Sequence, residues 1–219
     1  MQKKEINIEL RLSNLLEKIV ESPRTHACWI NTLAFLEHIG SRKIMKSQNS
    51  NYLDLEVLKH LSEETRHAFF LKNICERHFP GICPSFEACY LLGGESGNKY
   101  FQELDSYVDS KLNQGKLKPY LNYHYVTLAI EERALSVYEV YAKVLKGIGS
   151  SIKINSLLAE EKGHLKETLE VLEKTDLDFE YNSNQFFTKE TILFENFLKE
   201  IEKEVYSFAE ASIEKGAVL

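Results

Sequence analysis

The chain has 219 residues and a mass of 25.3 kDa, and 43% of its side chains are hydrophobic, so it can bury one sizeable core and reads as a single domain over 1–219. Its 33 acidic and 27 basic residues leave a net charge of -6, and the cluster Lys111, Lys116, Lys118 is a thin basic patch for a dedicated nucleic-acid binder. No run of roughly 18 apolar residues offers a membrane span. The start, Met1-Gln-Lys-Lys-Glu-Ile, lacks the apolar core of a secretory signal. Four cysteines, Cys28, Cys75, Cys83 and Cys89, without a C-x-x-C pair, suit a reducing cytoplasm better than a disulfide framework.

Few glycines and prolines and sustained 3.6-residue periodicity predict a nearly all-helical chain of seven segments. An amphipathic helix from Ile6 to Glu21 ends near Ser22-Pro23, and a second runs from about Thr25 to Met45. A third spans roughly Leu53 to His78 and stops at Pro80-Gly81. A long crossover follows, broken by Pro84, Gly93-Gly94 and Gly97, with a short helix from about Lys99 to Leu112. Helices from about Leu117 to Leu145 and Ser151 to Lys174 come next. An Asp/Asn-rich link at Asp176 to Asn184 precedes a last helix, about 188–214, with Ile192, Phe194, Phe197, Leu198, Ile201, Val205 and Phe208 on its buried side.

The chemistry lies in two copies of Glu-x-x-His, Glu64 with His67 and Glu161 with His164, each preceded about thirty positions earlier by a lone glutamate in an apolar stripe, Glu37 and Glu131. Chance alone yields roughly one such motif in a chain this rich in Glu, so position matters more than the motif. Glu64 interrupts the stripe Val57, Leu61, Ala68, Leu71, and Glu161 the stripe Ile154, Leu157, Leu158, Leu165, Thr168. A buried, uncompensated carboxylate costs several kcal/mol, so a metal, a cation or a proton must offset it. Ser47-Gln-Asn-Ser-Asn51 falls midway between Glu37 and Glu64, and Lys146-Gly-Ile-Gly-Ser150 midway between Glu131 and Glu161. Each pair therefore reads as a helical hairpin whose two glutamates sit at one height, given a rise of about 1.5 Å per residue. Four carboxylates and two imidazoles would then converge, the ligand set of a dinuclear iron or manganese centre.

His67 selects Glu64 over Glu63 and His164 selects Glu161 over Glu160 by the three-residue spacing. Glu131 shares a face with Leu128, Leu135, Tyr138 and Ala142 and is favoured over Glu132. These segments, Leu36-Glu37-His38, Glu63-Glu64-Thr65-Arg66-His67, Ile130-Glu131-Glu132-Arg133 and Glu160-Glu161-Lys162-Gly163-His164, resemble the ferritin-like superfamily of di-iron carboxylate proteins over about 25–174.

The resemblance implies a four-helix bundle with a long crossover and added N- and C-terminal helices. It also implies two iron ions, with manganese or a mixed pair as alternatives, held by Glu37, Glu64, His67, Glu131, Glu161 and His164. The implied activity is that of an oxidoreductase of monooxygenase or oxidase type, using dioxygen or peroxide on an unidentified substrate. Iron handling and a metal-free helical interaction protein are the alternatives. Ferritin cages usually lack the histidine on the fourth helix that is intact here. Rubrerythrins carry the full set with a C-x-x-C iron domain absent here, so a separate electron donor is implied. The Glu doublets and Ile-Glu-Glu-Arg are similar to the bacterial di-iron hydroxylases that modify a tRNA nucleoside, which keeps tRNA among the possible partners, and a homodimer is another.

His60, one turn before Glu64, and His124 are expected at the surface or as satisfied core residues, with a supporting or third-imidazole role as the alternative. Tyr138 and Trp29 are expected as core aromatics, with electron relay as the alternative. Arg66 and Arg133 are expected to pair with Glu63 and Glu132 or to reach the ligand carboxylates. Gly163 is expected to admit the close approach of another helix or a substrate.

Overall fold

Residues 2–47, 54–112 and 118–216 are described in a computed structural model, with side chains described between 8 and 207 in those ranges. Seven α-helices follow in order: α1 (Gln2–Val20), α2 (Pro23–Ser47), α3 (Leu55–His78), α4 (Ser96–Lys111), α5 (Lys118–Gly147), α6 (Asn155–Thr175) and α7 (Phe179–Gly216), with a short 3-10 turn at Ala88–Tyr90. No strand occurs among the described residues. The expected turn at Ser47 to Asn51, the residues Leu53, Lys116 and Leu117, and the side chain of Phe208 lie wholly or mostly outside the described set.

Local chemistry sets the helix ends. Pro23 starts α2 where a missing N–H costs nothing. Asp54 caps α3 by accepting the backbone N–H of Glu56. At the end of α5, Gly149 adopts φ +67°, its N–H donates to the Lys146 carbonyl at 3.1 Å, and the Ser150 N–H donates to the Leu145 carbonyl at 2.9 Å. This paired closure needs the left-handed conformation that glycine adopts without strain, and it turns α6 back along α5.

α2 packs on α3 and α5 on α6 more extensively than any other helix pairs. α1 lies on α2 and α5, burying Leu12, Leu15, Leu16 and Ile19, each no more than 1% exposed. The crossover is pinned to α2 by two buried polar residues. Asn31 Nδ2 donates to the Ser85 and Tyr90 carbonyls, both at 2.9 Å, and Thr32 Oγ1 accepts the Leu92 N–H at 2.8 Å. Lys72 adds donations to Asn31 Oδ1 and the Cys83 carbonyl. α4 is thereby laid against α2, α5 and α7. Cys28, Cys75 and Cys83 fill the core beside this junction. Burial pushes the thiols of Cys28 and Cys75 up to about 12, so they remain protonated and act as packing groups.

Two expectations about the last helix change. It begins at Phe179, not near Thr188, because Asp176 accepts the Asp178 N–H and the Asn182 side-chain N–H, capping a helix where composition suggested a link. Ile192 is 44% exposed and lies off the stripe that buries Leu193, Phe194, Phe197, Leu198, Ile201 and Val205.

Gly163 also departs from expectation, since a Cβ built there meets no atom within 4 Å and no close approach requires a glycine. Gly163→Ala is therefore expected to stabilise the protein by about 1 kcal/mol, the helix-interior preference for alanine. In a chain of this size that is a rise in Tm of about 2–4 °C by calorimetry. An unchanged or lowered Tm would show that Gly163 serves a contact.

Candidate metal centre

The six side chains singled out by spacing are all buried and meet at one level of the helical array. Glu37 comes from α2, Glu64 and His67 from α3, Glu131 from α5, Glu161 and His164 from α6, and none is more than 8% exposed. Glu132 is exposed while Glu131 is 4% exposed, which settles that doublet in favour of Glu131 as the inward residue.

The donor atoms fall into two groups within which they lie no more than 4.8 Å apart: Glu37, Glu64, His67 and Glu161, then His60, Glu131 and His164. Glu64 Oε1 links them, at 3.7 Å from His67 Nδ1, 3.8 Å from His164 Nδ1 and 3.3 Å from His60 Nε2. Such a position suits a bridging carboxylate.

Hydrogen bonding separates the inner atoms from the outer ones. His67 Nδ1, His164 Nδ1, His60 Nε2 and the Oε1 atoms of Glu64, Glu131 and Glu161 are buried and without a hydrogen-bond partner. Even His67 Nδ1 and Glu161 Oε1, 2.9 Å apart, are not aligned as donor and acceptor. Six orphaned lone-pair atoms at one point would be strongly unfavourable in a dry interior, and metal ions that accept those lone pairs would satisfy them. The opposite ring nitrogens are all held. His67 Nε2 lies 3.0 Å from Glu160 Oε2, His164 Nε2 lies 2.9 Å from Glu63 Oε2, and His60 Nδ1 lies 2.7 Å from the Tyr123 hydroxyl.

The other glutamate of each doublet thus crosses to the histidine of the other helix, Glu63 from α3 to α6 and Glu160 from α6 to α3. A carboxylate accepting the outer N–H fixes the tautomer that presents the inner nitrogen's lone pair, the arrangement typical of metal-bound imidazoles. Arg66 ion-pairs with Glu160 rather than with the expected Glu63, and this holds the Glu160 carboxyl down at about 2. Arg133 makes its two-pronged contact with Glu190 of α7, at 2.8 and 2.9 Å, and Glu132 adds a weaker electrostatic influence on it. Glu190 is 2% exposed and also accepts from the Tyr100 hydroxyl at 2.7 Å. Spacing arguments confined to single hairpins missed it, although its place in the stripe with Leu193, Phe194 and Phe197 marks it as inward.

Tyr138 donates its hydroxyl to Glu37 Oε1, so this core aromatic touches a candidate ligand. One turn further along the same face of α2, a Cβ at Gly40 would lie 3.1 Å from Glu64 Oε2, so the absence of a side chain there makes room for that carboxylate. Along one side of the carboxylates runs a cavity of about 750 Å³ that Glu37, Glu64, Glu131, Glu161 and His60 help to line. Its apolar walls include Trp29, Leu33, Leu36, Ile130, Val137, Phe101, Phe194 and Phe197, so both α4 and α7 close over it. Arg42, Lys46 and Gln102, all exposed, mark where it reaches the surface.

Protons compensate the cluster in the metal-free chain. Burial and mutual repulsion hold the Glu37 and Glu64 carboxyls above the ordinary range and push Glu161 up to about 7. Burial alone would lower His67 and His60, but the surrounding carboxylates override it and raise them to about 9 and about 12. Groups with raised folded values contribute stability that is present below their ordinary values, near 4.5 for Glu and 6.5 for His, and is lost as pH rises through the folded ones. The buried His26 and the half-buried His124, both lowered by desolvation to about 4, act only below about pH 6.5. The metal-free protein is therefore expected to lose stability from pH 6.5 to 9. Metal binding, which needs these ligands deprotonated, should strengthen over the same range. Tm measured with and without ferrous or manganous ion should diverge as pH rises, and a constant difference would contradict this proton linkage.

Compared with protein-family models, curated proteins and solved structures, the chain matches none. Among the described residues, no helix is long and apolar enough to cross a membrane.

Proposed function

We propose that this chain is a ferritin-like di-metal carboxylate oxidoreductase, most simply a di-iron or mixed manganese and iron protein, that uses dioxygen or peroxide to oxidise or hydroxylate an organic substrate. The observation that carries this reading is the convergence of orphaned carboxylate and imidazole atoms whose outer partners are all in place. An oxygen- and nitrogen-rich donor set suits iron and manganese. Glu64, whose Oε1 faces imidazole nitrogens of both donor groups, would bridge the metals; Glu161 would join it, as the ferritin-like resemblance implies, with Glu37 and His67 serving one metal and Glu131 and His164 the other.

Held by these residues, a metal pair would supply the two-electron chemistry by which one oxygen atom of dioxygen is inserted into a substrate C–H bond and the other leaves as water with two protons, and a separate two-electron donor would be needed for the next turnover. The chain's own residues do the rest. Glu63 and Glu160 hold the two imidazole tautomers, and Tyr138 orients Glu37 through its hydroxyl. The aromatic walls exclude water and seat an apolar substrate body against the carboxylates. An apolar cavity abutting the centre favours an organic substrate over iron handling alone. The reading also places the chain in a reducing cytoplasm, in keeping with four free thiols.

The test is dioxygen uptake. Protein loaded anaerobically with ferrous ion is expected to consume dioxygen faster than the same ferrous ion in buffer, and Glu131→Ala should reduce uptake to the buffer rate. Equal uptake with and without the wild-type protein would overturn the reading.

A further inference from the structure

His60 is the member of the cluster that a symmetric pair of hairpins does not call for. It stands four residues before Glu64 and seven before His67, so all three share one stripe of α3. The matching position on α6, four before Glu161 and seven before His164, is Leu157, an ordinary core residue 1% exposed. His60 nonetheless turns inward. Its Nε2 lies 3.1 Å from Glu131 Oε1 and 3.3 Å from Glu64 Oε1, with no hydrogen bond to either, and its ring centroid is 4.7 Å from that of His164. Its Nδ1 is engaged by the Tyr123 hydroxyl at 2.7 Å, and Tyr123 is itself 8% exposed.

We propose that His60 is a third imidazole ligand, on the metal shared with Glu131 and His164, so that the two metal positions are chemically unlike. This rests on the metal-centre reading above. The arrangement repeats at His60 what is seen at His67 and His164: one ring nitrogen anchored outward, the other orphaned and aimed at carboxylates that face the same point. Two details differ: the outer partner is a phenol in place of a carboxylate, and the inward nitrogen is Nε2 in place of Nδ1. With Nδ1–H donating to Tyr123, the Nε2 lone pair faces Glu131 and Glu64.

Two imidazoles would then serve the Glu131 side and one the Glu37 side. Nitrogen donors favour the later first-row metals, so the His60 side should prefer iron over manganese more strongly than its neighbour does. This gives the centre an internal order of filling. The competing role for His60 is a protonated counter-ion to Glu131 and Glu64, which would need no metal contact.

Cobaltous ion is the probe, since it accepts the same nitrogen and oxygen donors and shifts the N–H resonance of every imidazole it binds far outside the ordinary proton range. Wild-type protein loaded with cobalt to saturation is expected to show three exchangeable shifted N–H signals, one each from His60, His67 and His164. His60→Gln should lose one of them. Tyr123→Phe should keep all three, with one exchanging faster because its acceptor is gone. Cobalt-loaded wild type with only two such signals would overturn the His60 assignment while leaving the metal centre standing. Wild type that binds no cobalt would overturn both. The wild-type count decides even if a variant fails to fold.

Discussion

Glu64→Ala combined with Glu161→Ala is expected to reduce the metal content from about two ions per chain to near zero. Glu64 faces imidazoles of both donor groups, and Glu161 belongs to the group of Glu37 and His67 while feeling the charge of Glu131 in the other. Glu64 Oε1 is within 4 Å of three imidazole nitrogens, and Glu161 Oε1 is 2.9 Å from His67 Nδ1. No single metal position would keep enough ligands once both are gone. The same substitutions remove two of the groups whose carboxyls burial and repulsion hold upward in the metal-free chain. The decline in metal-free stability from pH 6.5 to 9 should therefore flatten in the variant, even though it carries two new cavities that lower its stability at every pH. Retention of one tightly bound ion, together with an unchanged pH profile, would show that Glu64 and Glu161 are not shared ligands.

The second large effect concerns Arg133 and Glu190, which sit away from the ligands but hold α7 to α5. Arg133 is 15% exposed in its side chain, Glu190 is 2% exposed, and the two make a two-pronged contact at 2.8 and 2.9 Å. The guanidinium also lies 4.4 Å over the Phe194 ring. Arg133→Met would leave the buried Glu190 carboxyl with the Tyr100 hydroxyl as its remaining side-chain donor among the described residues. Removing one partner of a buried pair costs about 3–5 kcal/mol. For a chain of this size the expected fall in Tm is on the order of 10 °C. Adding Glu190→Leu should restore most of it, because a matched apolar pair in place of a buried ion pair is often neutral. A Tm within about 2 °C of wild type for Arg133→Met would show that water reaches Glu190 from the cavity that Arg133 lines.

The helices and the inward glutamates were legible because both follow from local periodicity. A glutamate in a 3.6-residue apolar stripe must face the core if the stripe does, and the histidine three residues on picks Glu64 and Glu161 out of their doublets. The roles of Glu63 and Glu160 were not legible, because each acts on a histidine of another helix about a hundred positions away. The same holds for Glu190, whose partner Arg133 is 57 residues distant. His60 was expected at the surface or as a satisfied core residue, because its place one turn before Glu64 does not by itself say where the ring points, and only the packed helices show it turning inward. The start of α7 was misjudged for a different reason. Asp and Asn read as link residues by composition, whereas Asp176 here spends its carboxylate on the first turn.

The central claim is a two-metal centre, and metal titration of the intact protein tests it most directly. Anaerobic titration of chelator-treated protein with ferrous ion, followed by elemental analysis after gel filtration, is predicted to give about two ions retained per chain. Well-folded protein that retains none would contradict the account and leave the converging glutamates and histidines as a proton-compensated ion-pair cluster.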